Sequence, residues 1–157
     1  MSAETADLRG IIKKNTSKLE HIHASLGGVY EEELPLVGKS NRSALMVSGL
    51  LENYYTCLET TFLRISRFFE NSLVPDRWHS DLLEKMTINI EGVRIAAVSD
   101  ENYPRLLELL KFRHFRRYYF ELEYDWDRLE FLTKKLNEAH PVVVADLDRF
   151  DRFLASL

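Results

Sequence analysis

The chain is poor in the residues that make staples and flexible joints. Among its 157 residues there is one cysteine, Cys57, so no internal disulfide framework and no cysteine-rich metal site can form. Six glycines and four prolines leave no low-complexity linker, and no fixed period recurs. Residues 1–157 therefore read as one domain. The longest stretch without a charged residue or a histidine, roughly Ser43 to Leu51, falls far short of the ~20 apolar residues that cross a bilayer. Met1 is followed by polar residues rather than the apolar centre of a signal peptide, which sets the expectation of a cytoplasmic protein without a membrane. Also missing are a Gly-rich phosphate loop, a His-Glu-x-x-His zinc pair and a serine nucleophile elbow. His21 and His23, two apart, point to different faces of a helix. Neither a metal nor a cofactor is expected. A net charge of −4 argues against a generally basic nucleic-acid coat, while leaving room for a local basic groove.

What the chain does have is helical period. With 45% apolar and 29% charged residues it is a globule, and its apolar residues recur alternately four and three apart, the spacing that paints one stripe on a helix. The spacing predicts an all-α bundle of about five or six helices. Leu8, Ile12, Leu19, Ile22 and Leu26 mark a first helix, with Gly27-Gly28 as its stop and a connector running to Pro35. Leu51, Tyr55, Leu58, Phe62, Ile65 and Phe69 mark a long one from about Ser43 to Glu70, in which Cys57 fills core. A turn around Pro75 leads to a short helix carrying Trp78, Leu82, Leu83 and Met86. The alternation of Ile88, Ile90, Val93 and Ile95 is broken by Gly92 and reads as an extended connector. Ser99 is placed to cap a helix with Pro104 in its first turn, running to about Leu122. Asp125 caps a fifth helix with Trp126, Leu129, Leu132 and Leu136, and Pro141 opens a last one with Val143, Leu147, Phe150, Leu154 and Leu157.

One segment is both polar and aromatic. At about 100° per residue, Leu106, Leu110, Arg113, Arg117, Phe120 and Tyr124 share a stripe, so two arginines continue a seam begun by leucines. A guanidinium leaving water needs a carboxylate or a phosphate, and its planar fork grips either. Two readings follow. In one, Arg113, Arg116 and Arg117 receive an anion such as RNA phosphate in a groove or subunit interface, flanked by His114 and Tyr118. In the other, their stems lie along the bundle and their heads pair with glutamates on neighbouring helices.

Three stretches, LLENYYTCLETTFLRI, RWHSDLLEKM and LLKFRHFRRYYFELEYDWDRLEFL, together resemble the HepT-like proteins of the HEPN superfamily, the toxin halves of HEPN/MNT toxin–antitoxin pairs. They cover roughly Ser43 to Leu136, and the Trp78-His79 pair and the Phe112-Arg113-His114 opening carry most of the likeness. The resemblance implies an up-and-down helical bundle that forms a homodimer. It implies a shared cleft where a motif of an arginine, a short spacer and His-x-Tyr cuts RNA without a metal ion. It also implies an MNT-type nucleotidyltransferase antitoxin as partner, which adds AMP to the motif tyrosine. On the matching positions Arg113 is the motif arginine and His114 the polar residue after it. Tyr118 stands in the histidine's place and Phe120 in the tyrosine's. A phenol with a pKa near 10 is a poor base at neutral pH. The proton-transfer role then falls to His114, one turn before Tyr118, or to His79 from the neighbouring helix. Phe120 cannot accept AMP, which leaves Tyr118 or Tyr119.

Overall fold

The computed structural model describes residues 1–70, 78–118 and 123–157. Helix α1 spans Ala3–Gly28, its first turn held by the Ser2 hydroxyl accepting from the Thr5 amide. The path does not stop at Gly27-Gly28. It passes through a π-helical turn, Val29–Glu33, into the short α2, Leu34–Val37, and ends at Gly38, whose φ of 72° breaks the helix. The glycine pair stays right-handed because the residues after it have somewhere to pack. Val29 is buried, and the Tyr30 hydroxyl lies 3.0 Å from that of Thr133.

Helix α3, Asn41–Phe69, opens with a reciprocal box in which Ser40 and Ser43 each satisfy the other's amide. Its predicted seam is the centre of the molecule: Leu51, Tyr55, Leu58, Phe62 and Ile65 are all fully buried. Each such side chain contributes roughly 1.5–3 kcal/mol of burial. Cys57 is half-buried against this core. α3 packs on α1, α4 (Trp78–Met86), α5 (Tyr103–Tyr118) and α6 (Trp126–Ala155), so it is the post around which the others stand.

Between α4 and α5 the chain is extended, as the sequence suggested. Ile90 and Arg94 exchange backbone hydrogen bonds of 2.8 and 3.0 Å around Gly92, whose φ of 74° makes the turn. Ser99 does not cap α5. Its hydroxyl and amide both donate to Asp146 Oδ2 at 2.8 Å, tying the connector to α6. Asp125 does cap α6, accepting from the Asp127 amide.

The expected break at Pro141 is absent. α6 runs unbroken through it, so the last two predicted helices are one. A proline inside a helix costs about 3 kcal/mol. Here the buried stripe Leu132, Leu136, Ala139, Val143, Leu147, Phe150 and Leu154 keeps its phase across the proline, and breaking that stripe would cost more. The turn around Pro75 and the end of the α5 segment at Leu122 lie outside the described residues. Among the described residues no helix is long and apolar enough to cross a membrane.

Candidate functional site

Three helices bring an arginine, a glutamate and a histidine together. Arg113 arrives on α5, directly after the buried Leu109, Leu110 and Phe112. Its side chain is 6% exposed. Glu59 faces it from α3, one residue along from Leu58, and is equally buried. His79, near the start of α4, closes the group with a side chain 38% exposed. The Arg113 Nη2 donates to Glu59 Oε1 at 2.8 Å, and His79 Nδ1 lies 2.9 Å from Glu59 Oε2 and 3.0 Å from Arg113 Nη2. Beneath the guanidinium is the ring of Tyr55, its centroid 5.5 Å away, a distance at which a cation is held by the ring's negative face. Burial, with Glu59 adding to it, pushes the Tyr55 phenol well above its ordinary value, so it stays protonated.

Two donors in this group are unmet. The Nε of Arg113 and the hydroxyl of Tyr55 are buried and have no hydrogen-bond partner among the described residues. Such orphans cost about 1–3 kcal/mol each, so their survival asks for a reason.

One turn further along α5, Arg116 pairs with Glu52 of α3. Glu52 and Glu59 are two helical turns apart on one face of α3, so α5 runs antiparallel beside it with an arginine at each carboxylate. Burial pulls the Arg116 pKa down, but the hydrogen bonds and charge of Glu52 and Tyr124 outweigh that, and it ends above its ordinary value. For these two arginines the geometry is the ion-paired one. Arg117 departs from expectation: it is exposed rather than continuing the leucine seam. Helices that cross at an angle present a contact face that winds round the axis, so past Arg113 the inward position passes to Arg116. His114 is exposed on the same helix. Tyr118 is the last residue of α5. Its side chain, together with Tyr119 and Phe120, lies outside the described residues.

The structure thus joins Arg113 to His79, which the sequence could name only as a distant candidate, and adds Glu59, which sequence reasoning missed. Its signal was present: a glutamate between Tyr55, Leu58 and Phe62 sits on the inward seam, where a carboxylate is rarely left unpaired. Among the described residues no cluster of His, Cys, Asp or Glu is placed to hold a metal ion. His23 instead stacks on His140, with centroids 4.3 Å apart, and donates to Asn137 Oδ1 at 2.9 Å.

No curated protein and no solved structure matches the chain significantly. The family model of HepT-like proteins matches residues 46–154, well over half the chain, from the first turns of α3 to the end of α6 and including all three clustered residues. The chain therefore belongs to the HepT-like family of the HEPN superfamily, a membership that supports a HEPN-type toxin–antitoxin component.

Proposed function

We propose that this HepT-like protein binds RNA beside the Arg113–Glu59–His79 cluster and cuts it without a metal ion, acting as a homodimer in the cytoplasm with a nucleotidyltransferase as its antitoxin. The observation that supports this reading is the imidazole of His79, seated 3.0 Å from the motif arginine although 34 residues away in sequence. It supplies the base that Tyr118 cannot be. In the reaction His79 takes the proton of a ribose 2′-hydroxyl. The resulting alkoxide attacks the adjacent phosphorus, the phosphorus–5′-oxygen bond breaks, and a protonated imidazole returns a proton to the departing oxygen. The products are a 2′,3′-cyclic phosphate and a free 5′-hydroxyl. Exposed Arg117 is the first cation an incoming phosphate meets, with Arg116 behind it. Arg113, nine-tenths buried, acts at the inner edge through its unmet Nε. His114, exposed on α5, is the alternative base.

The test is RNA cleavage by the purified protein in excess EDTA. Cleavage lost in Arg113→Ala and in His79→Ala, but retained in His114→Ala, supports the assignment. No cleavage of any RNA by the wild type removes the enzymatic reading. Controlled expression in a bacterium, with growth and RNA integrity followed together, adds the biological readout: arrest by the wild type and none by Arg113→Ala.

A second reading, that of a non-catalytic helical partner of the nucleotidyltransferase, draws on the pairing of Arg113 and Arg116 with α3 glutamates, which satisfies both charges without RNA. It predicts co-purification with a nucleotidyltransferase and one added AMP on Tyr118 or Tyr119.

A further inference from the structure

The three close contacts of the cluster cannot all be hydrogen bonds at once. His79 Nδ1 has one position for a proton. If it is bare, it accepts from Arg113 Nη2, but its lone pair then faces Glu59 Oε2 at 2.9 Å, a repulsive contact with an ionised carboxylate. If it carries the proton, it donates to Oε2 while Arg113 Nη2 donates to Oε1, and both carboxylate oxygens are used. The second arrangement answers every charge with an opposite one. In a site where Glu59 and Arg113 are each 6% exposed, the hydrogen bond to the ionised acceptor is the stronger.

We infer that Glu59 is a positioning residue that fixes His79 in its Nδ1–H form, so that Nε2 is the nitrogen able to take a proton from a substrate. The inference rests on the proposed site but concerns a residue that touches no substrate. It also gives Arg113 an inner role: by holding Oε1, it keeps the carboxylate turned so that Oε2 meets the imidazole. The arrangement follows the general logic of a carboxylate behind a catalytic histidine, which sets tautomer and ring orientation without itself taking the proton.

The molecule contains its own contrast. His140 has its Nδ1 2.8 Å from the Tyr54 hydroxyl. A phenol can donate or accept, but it is a good donor and a weak acceptor, so the favoured arrangement has Tyr54 donating to a bare Nδ1 and the His140 proton on Nε2. Two imidazoles of one chain are thereby expected in opposite tautomers.

Long-range proton–nitrogen NMR of the full-length protein labelled with ¹⁵N-histidine, at about pH 8 where ordinary imidazoles are neutral, reads both directly. His79→Asn identifies the signal. The expected result is His79 in the Nδ1–H form and His140 in the Nε2–H form. In Glu59→Gln the side-chain carbonyl accepts from Arg113 and the amide donates to Nδ1, so His79 switches to Nε2–H. RNA cleavage should then fall by about 10²–10⁴-fold with the fold intact. Wild-type His79 in the Nε2–H form overturns the inference, even if Glu59→Gln does not fold. So does a Glu59→Gln protein that leaves the tautomer unchanged, or one that switches it and cleaves at the wild-type rate. A wild type that never cuts RNA but shows the predicted tautomers overturns the ribonuclease reading alone.

Discussion

Arg94 and Arg113 are both buried, both paired with a glutamate, Glu70 at the C-terminal cap of α3 and Glu59 within it, and differently finished. In Arg94, Nε donates to Glu70 Oε1 at 2.7 Å, Nη1 to the carbonyls of Ile88 and Ile95, and Nη2 to the carbonyl of Lys85 and to Glu70. All five N–H groups are answered, three of them by backbone at the exit of α4 and along the connector. The one unmet atom is Glu70 Oε2. Arg113 offers Nη2 to a glutamate and a histidine at once and leaves Nε without a partner. The first arginine is a clamp for an extended segment with no sheet to hold it. The second is held in a competition that only a particular proton position resolves. A fully answered guanidinium ties structure down, whereas an incompletely answered one, beside an imidazole, retains capacity for a ligand.

That distinction can be broken by experiment. Arg94→Met strips three carbonyls and Glu70 of their donor and should cost about 3–5 kcal/mol in urea denaturation, with RNA retention unchanged in whatever protein remains folded. Arg113→Met should cost less, about 1–3 kcal/mol, because its Nε was never satisfied and His79 still serves Glu59. Equal losses for the two would erase the contrast. Adding Glu59→Leu to Arg113→Met should recover part of that loss, since it removes the buried carboxylate whose Oε1 has lost its partner.

His140 extends the rule to a base kept neutral. Burial, with the nearby His23 adding to it, lowers its pKa to about 4 from an ordinary 6.5. The sign follows: the unfolded chain takes up this proton near pH 6.5 and the folded one only near 4. Stability is therefore full above 6.5 and falls as the pH drops between those values. Allowing for solvent screening, the loss is on the order of 1–2 kcal/mol. Thermal unfolding across that range should show it, and His140→Gln should flatten the slope. Asp151, whose pKa is lowered by its hydrogen bond from Arg9, contributes only at more acid pH, below the ordinary carboxylate value. The smallest effect belongs to Arg117→Ala. Being exposed, it should change stability by no more than about 0.5 kcal/mol, yet it should weaken RNA retention and reduce its salt slope by about one. An unchanged salt slope would remove Arg117 from the phosphate path.

Most of the fold was legible because helical period is a local property. The seams of α1, α3 and α4 needed only the spacing of their apolar residues, and Asp125 announced its helix by chemistry alone. The failures occurred where a local signal was outvoted. Gly27-Gly28 and Pro141 are helix breakers by propensity, but Val29 and Val143 on their far sides are buried, and packing carried the helix through both. Ser99 had the right chemistry for a cap and found a better acceptor in Asp146, 47 residues away. At the site, Arg113 could be recognised as a charge on an apolar seam, and His79 as half of a Trp-His pair, but their meeting could not be read. Arg117 was misplaced because a stripe drawn on a straight cylinder ignores the angle at which helices cross.

The sequence by itself determined that the chain is helical, where its long central helix lies, and that Arg113, read together with Arg117 as a charge on the apolar seam of α5, would need an anion. Only the tertiary structure decided which anion it met and which histidine stood beside it. The reason is range: a helix is built from contacts four residues apart, whereas Glu59, His79 and Arg113 are joined across three helices by how those helices pack against one another.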